Sequence, residues 1–410
     1  MNRRDFFKTS AIASAGPVLA QSPALAQTSA LAQTSEVVPQ VFRRDFKGLS
    51  LPSLGYGIFR MPTDEALSQQ LVDAAMASGV NYFDTAYTYL GGKAEALCQR
   101  VLAKYPRDSY FLATKMPPMN ANSSPAEMER IFENQLRNCG VDFFDFYLCH
   151  NLQNNSWGHA KRIGMPAFLR MKKEEGRIRN LGFSFHDTPE LLAEIADFHP
   201  WDFAMIQLNY FDWKPYRSQE QYETLRKRQI PIWVMEPLRG GLLADLGEEA
   251  NAVFKNADPN ASVASWSFRF IASLPGVVTV LSGMTEMEHL RENVRTFANF
   301  RPLTAEDQKI IAAALEKYGA SGSIPCTDCK YCLPCPLGID IPSVFSVFNH
   351  FKRTENVHQR VPGIAQMEAR MVQQAAQCVS CKQCLSKCPQ KISIPAMHRK
   401  VTADGMKRKV

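Results

Sequence analysis

Eight of the eleven cysteines fall in two short runs, CTDCKYCLPCP at residues 326–336 and CVSCKQCLSKCP at residues 378–389, while Cys98, Cys139 and Cys149 are scattered. Cys326, Cys329 and Cys332, and again Cys378, Cys381 and Cys384, repeat at two-residue intervals, and a further cysteine before proline, Cys335 or Cys388, closes each run. That interval lets a short loop wrap three thiolates around one face of an iron–sulfur cube, with the fourth thiolate pointing away from its own loop. Two four-cysteine zinc sites are the alternative for the same eight thiolates. An even number of cysteines in an exported chain would first suggest disulfides, but such tight spacing argues for metal. A second set of reactive side chains lies far upstream: Asp84 and Tyr89, Lys115, and His150. Singly these are ordinary, as a turn cap, a solvated charge or a core imidazole. Brought together, an ammonium paired with Asp84 would lower the Tyr89 pKa, and a phenol so tuned exchanges a proton with an alcohol or carbonyl oxygen. His150 would orient that oxygen by hydrogen bonding.

The elements between them are of a kind that could make such a meeting. From about residue 45, eight short apolar runs (SLGYGIF, NYFDTA, YFLATK, FFDFYLCH, IRNLGFSFH, FAMIQLNY, IPIWVMEPL and VVTVLSG) alternate with amphipathic stretches such as DEALSQQLVDAAMASG and SPAEMERIFENQLRNCG, which end near glycine as helices do. Eight strand–helix units over about 250 residues is the count of a (β/α)8 TIM barrel, an α/β fold whose chemistry sits where strands end. Asp84 with Tyr89, Lys115 and His150 then stand at three successive strand ends, followed by Ser184 and His186, and by Gln207 and Asn209. An open doubly wound sheet is disfavoured, because no G-x-G-x-x-G follows the first strand.

Between the cysteine runs, Ile341, Val344, Phe345 and Phe348 have helical spacing, and MEARMVQQAAQC reads as another helix entering the second loop. The tail resembles the α-helical dicluster ferredoxin domains. In two-cluster ferredoxins the fourth cysteine serves the other cluster. The resemblance therefore implies one 4Fe-4S centre on Cys326, Cys329, Cys332 and Cys388, and a second on Cys378, Cys381, Cys384 and Cys335. The first run departs from the common pattern by having two residues before its last cysteine instead of three.

The order Asp84, Tyr89, Lys115, His150, within FDTAYTYLGGKAE, LATK and YLCH, resembles the catalytic tetrad of the aldo-keto reductase superfamily over about residues 45–300. The resemblance selects Tyr89 over Tyr87 as the acid and implies a nicotinamide cofactor, NADP or NAD. It assigns the nicotinamide carboxamide to Ser184 and Gln207, with Phe185 standing where Asn is common and Met235 where an aromatic often stacks. Leu238 and the following RGG are expected near the pyrophosphate, where glycine admits close backbone approach. Ser282 and Gly283 are expected in the loop after the eighth strand, and Glu292 with Asn293 at the adenine. Gly283 and His289 stand where members that demand NADP carry Lys and Arg, with Arg291 as a substitute cation.

At the N-terminus, Arg3 and Arg4 with Phe6, Phe7 and Lys8 resemble a twin-arginine signal. Signal-peptidase-like triplets follow at Ala24-Leu25-Ala26 and Ala30-Leu31-Ala32. The organisation read from sequence is a signal and linker at 1–35, the barrel at 45–318 and the dicluster domain at 322–410. Twin-arginine export of a protein folded around its metal implies a periplasmic location. A hydrophobic share of 45% and a charged share of 21% fit a globular chain. The net charge of +7 draws on basic residues at both ends, which disfavours a nucleic-acid surface. No other stretch approaches a membrane span. The resulting expectation is an oxidoreductase interconverting a carbonyl (aldehyde, ketone or sugar) and an alcohol, linked to a redox partner protein through two clusters. Trp157 and Trp213 are candidates to stack on a sugar. The competing reading is an iron–sulfur electron carrier or assembly protein with the barrel as scaffold.

Overall fold

The computed structural model describes residues 38–120, 122–319, 322–353 and 364–407. The twin-arginine-like segment and its linker, residues 1–35, lie outside them. An antiparallel hairpin, β1 (Arg43–Phe46) and β2 (Leu49–Pro52), precedes eight parallel strands: β3 (Leu54–Gly57), β4 (Tyr82–Asp84), β5 (Phe111–Met116), β6 (Phe144–Leu152), β7 (Ile178–Phe185), β8 (Phe203–Gln207), β9 (Ile232–Met235) and β10 (Val277–Ser282). These eight close in the order β10-β3-β4-β5-β6-β7-β8-β9, and each apolar run picked out in the sequence carries one of them. Nearly every barrel-strand residue is buried, which explains the continuous apolar runs in place of strict alternation. The interior is packed with Tyr82, Phe146, Phe203, Met205 and Trp233. The hairpin, not foreseen from sequence, sets Phe46 edge-on to Trp233 at 5.0 Å and so plugs the N-terminal end of the barrel.

Helices α1 (Glu65–Ala77), α2 (Ala94–Leu102), α3 (Pro125–Cys139), α4 (Asn154–Arg162), α5 (Met165–Glu174), α6 (Pro189–Phe198), α7 (Ser218–Lys227), α8 (Glu248–Ala257), α9 (Val263–Ala272), α10 (Met287–Ala298) and α11 (Ala305–Gly319) connect and flank the strands. Their starts follow capping rules. Asp64 accepts from the Leu67 amide at 2.8 Å, and Ser124 accepts from the Glu127 amide at 3.3 Å ahead of Pro125. Helix α4 carries Trp157, one of the two candidate sugar-stacking indoles. There Trp157 is buried, donates to Glu194 at 2.7 Å and packs on Phe198, while Trp213 packs edge-on to Phe270 at 5.2 Å. Both indoles cover helices, and neither reaches the cavity described below.

The tail contributes α12 (Ile341–Arg353), α13 (Ile364–Ala376) and α14 (Ile394–Lys407). Ile341, Val344, Phe345 and Phe348 form the buried face that their spacing predicted, against Met371, Val372 and Val401. This second small core carries the two cysteine loops. No helix among the described residues is long and apolar enough to cross a membrane.

Candidate active site and cluster-binding tail

Asp84 ends β4, Lys115 lies near the end of β5 and His150 near the end of β6, so adjacent parallel strands deliver the three side chains to one rim. Tyr89 follows β4 in a 3-10 turn (Tyr89–Gly92). The Lys115 Nζ donates to Asp84 Oδ1 at 2.6 Å and to the Thr85 carbonyl at 2.6 Å, with both charged side chains buried. It sits 4.8 Å from the centre of the Tyr89 ring, which meets the His150 ring edge-on at 5.6 Å. Asp84 Oδ2 and His150 Nδ1 are buried without a hydrogen-bond partner among the described residues. Burial holds His150 well below its usual pKa, reinforced by Lys115 and His186, so the imidazole is neutral at pH 7. The electrostatics of Tyr89 reverse the sequence expectation. Its phenol is pushed up, first by burial and then by Tyr331, Asp84 and Glu236. Asp84 is bound directly to the ammonium and offsets its field, so desolvation decides the sign.

These four side chains line one cavity of about 300 Å³, which Tyr89 enters and Tyr87 does not. That volume lies within the usual range for small-molecule sites. The same cavity continues past Ser184, Met235 and Leu238 to Ser282, Gly283, Glu292 and Asn293. The expected nicotinamide and adenosine ends are thus joined in one space, and the residues present fit such a cofactor at those ends. Asn293 also donates to Ser282 Oγ at 3.1 Å, and Ser184 Oγ accepts from the Asn151 amide at 2.7 Å.

Gln207 is placed differently. It does not line the cavity; its amide bonds reciprocally with Gln390 of the tail, at 3.0 and 2.9 Å, and donates to Asp212 at 2.6 Å. The glycines after Leu238 also divide. Both border the cavity; Gly241 has no atom within 4 Å of where a Cβ would stand, but a Cβ on Gly240 would lie 2.1 Å from the Thr327 carbonyl oxygen. The close approach that Gly240 permits is to the backbone of the cysteine tail. Directly before these glycines, Arg239 is fully buried and donates to Asp212 at 2.6 Å, to the Pro325 carbonyl at 2.7 Å and to Gln390 at 2.7 Å.

The tail therefore forms part of the site. Thr327, Cys329, Tyr331, Pro389 and Gln390 line the tetrad cavity, together with Arg60 and Glu236 from the barrel. Sequence reasoning passed over Arg60, Glu236, Tyr331 and Gln390. Glu236 has a left-handed backbone (φ 52°), burial raises its pKa, and Arg60 stands 3.9 Å from its carboxylate. The only hint was an acid directly after Met235 at a strand end.

The eight tail thiols fall into two electrostatic groups. Burial pushes Cys326 and Cys332 up to about 12 and Cys329 to about 11, and within this set the charges that act include one another and Cys388. Burial also raises Cys384, with Cys378, Cys381 and Cys335 as its charged neighbours. These are the two crossed sets implied by the ferredoxin resemblance. Cys335, Cys378, Cys381 and Cys384 border a small cavity of about 20 Å³. Among the described residues no three Cys, His, Asp or Glu side chains converge closely enough for one metal ion.

A closed parallel barrel with a Lys–Asp pair, a phenol and an imidazole at one cavity defines a TIM-barrel oxidoreductase site. The aldo/keto reductase family description matches residues 53–316, and the 4Fe-4S dicluster domain description matches residues 325–392. The chain belongs to the aldo/keto reductase family, is an oxidoreductase of that type, and carries a dicluster domain behind the barrel. It is 25% identical over 294 residues to an uncharacterised oxidoreductase of Bacillus subtilis, covering 64% of this chain and 92% of the relative. A 6-dehydroglucose reductase of Novosphingobium aromaticivorans is 26% identical over 277 residues, covering 60% of this chain and 86% of that one. Among solved structures, the holo form of an aldo-keto reductase from Bacillus halodurans superposes with a TM-score of 0.58 at 22% identity, over 67% of this chain and 96% of its own.

Proposed function

We propose that the protein reduces an aldehyde or ketone, sugars included, to the alcohol, with NADP or NAD as hydride donor and with Tyr89 as the acid. The carrying observation is the buried Lys115–Asp84 pair set against Tyr89 and His150 at a single cavity. A bound dihydronicotinamide supplies the hydride. The chain supplies the rest. Burial keeps the Tyr89 phenol protonated at neutral pH, the form that donates to a carbonyl oxygen. Neutral His150 orients the oxygen by hydrogen bonding, and Lys115, held by Asp84 and the Thr85 carbonyl, places a fixed positive charge beside the phenol. Ser184, Leu238, Ser282, Gly283, Glu292 and Asn293 are the proposed nucleotide contacts. Gln207 would serve the carboxamide only on release from Gln390.

The tail is proposed to hold two 4Fe-4S clusters on the crossed cysteine sets. Cys329 at the cavity wall supports an electronic link between the nearer cluster and the barrel site. Export through the twin-arginine machinery to the periplasm, and exchange of electrons with a redox partner protein there, complete the proposal; the paired arginines of the N-terminal segment support it. Replacing Tyr89 by Phe tests the chemistry. Carbonyl reduction should fall by about a hundredfold to ten-thousandfold, with iron and acid-labile sulfide unchanged. Undiminished turnover would assign the proton to another group, and redox cycling with no carbonyl turnover in either protein would favour the electron-carrier reading.

A further inference from the structure

The two cysteine loops are built on one plan. Each has a lysine after its second cysteine, Lys330 or Lys382, and each takes left-handed backbone at the same two places: Asp328 (φ 53°) and Lys330 (φ 62°) in the first, Ser380 (φ 58°) and Lys382 (φ 65°) in the second. They differ at the residue before the third cysteine, which is Tyr331 in one and Gln383 in the other. Gln383 is exposed. A loop of this backbone thus forms with a solvated amide at that position, and holding the cysteines needs no aromatic ring there.

Tyr331 is spent elsewhere. It borders the tetrad cavity, close enough for Asp84 and Glu236 to act on its phenol and for the phenol to act on Tyr89. No hydrogen bond among the described residues holds its hydroxyl. Arg60 and Glu236 border the same space, so the wall added to the tetrad is polar. Arg60 is already engaged by the Thr327 carbonyl at 2.6 Å and by Glu236, so the Tyr331 hydroxyl is the group left to a ligand. A hydroxyl so placed favours substrates that carry hydroxyls and discriminates against analogues that lack them, because it would be left desolvated and unpaired.

We propose that Tyr331, carried by the first cysteine loop, is a specificity residue of the barrel site that hydrogen-bonds a hydroxyl-bearing carbonyl substrate. This rests on the carbonyl-reductase reading above. The tail then has two tasks, holding metal and selecting the molecule that Tyr89 protonates.

The test compares the anaerobically purified full chain with its Tyr331→Phe and Tyr331→Gln variants, on glyceraldehyde and on its deoxy counterpart propanal, with iron and sulfide measured on each preparation. The wild type should prefer glyceraldehyde. Both variants should lose about tenfold in kcat/KM for glyceraldehyde, mostly through KM, with propanal changed less than about twofold. Full iron in Tyr331→Gln is expected from the second loop. Equal losses on both aldehydes, no loss on either, or loss of iron from both variants would overturn the inference. A wild type inactive across a broad carbonyl panel would overturn the reading beneath it as well, an outcome distinct from an active wild type indifferent to position 331.

Discussion

The rim built by β4 to β6 and the rim built by β8 and β9 are made of similar polar side chains and treat them in opposite ways. On the first, Asp84 Oδ2 and His150 Nδ1 are buried and, among the described residues, unpartnered. On the second, Gln207, Asn209 and Arg239 all donate to Asp212, and Gln207 and Arg239 also bond Gln390 of the tail. A buried polar atom without a partner costs stability, and such exceptions in a native chain call for an explanation; here a ligand that completes the set is one. A saturated network instead fixes parts to one another. One rim is left open for chemistry, while the other has become the joint that holds the cluster domain over it.

The joint can be broken at its centre. Replacing Arg239 by Ala leaves Asp212 buried without its cation and removes the bonds to the Pro325 carbonyl and to Gln390, which should cost about 3 to 5 kcal/mol. The loss should appear as a lower melting temperature and as faster proteolysis of the tail. An unchanged melting temperature would mean that the network is not the joint. Gly240→Ala attacks the same contact from the backbone. Its φ of 68° disfavours any Cβ, and that Cβ would fall 2.1 Å from the Thr327 oxygen, so one side must shift. The expected cost is about 1 to 3 kcal/mol, again with the tail loosened. Gly241→Ala, strained by its φ of 99° but meeting no atom, should leave tail proteolysis unchanged. Equal tail loosening in both variants would show strain, not contact, to be the cause.

The open rim was legible in sequence and the joint was not. Asp84, Lys115 and His150 sit on adjacent strands whose apolar runs announce themselves, so counting strands was enough to bring them together. Tyr89 came from its motif. The partners of the joint are separated by as many as 183 residues, and nothing local in PQK or RGG marks Gln390 or Gly240 as meeting Gln207 or Thr327. The sign of the Tyr89 shift was misread for a related reason: the charge of Lys115 shows in the sequence, whereas the depth of the cavity that desolvates the phenol depends on the tail above it.

His186, just past the end of β7, stands where the two rims meet and gives the smallest test. It borders the cavity, and its pKa is lowered to about 4, first by burial and then by Lys391 of the tail, which lies 3.6 Å from Asp187. A histidine depressed in the folded state favours its neutral form there. Its contribution is present above the unfolded value of about 6.5 and is lost as pH falls toward the folded value of about 4. Lowering the pH from 7 to 5 should therefore cost on the order of 1 to 2 kcal/mol through this group, allowing for its partial exposure. His186→Gln should flatten that part of the pH profile of thermal unfolding. Because Lys391 contributes only the lesser share of the shift, Lys391→Ala should raise the folded value slightly and so flatten the same part of the profile a little. If it flattens the profile as far as His186→Gln does, the tail's charge and not burial governs the residue, and His186 belongs to the joint.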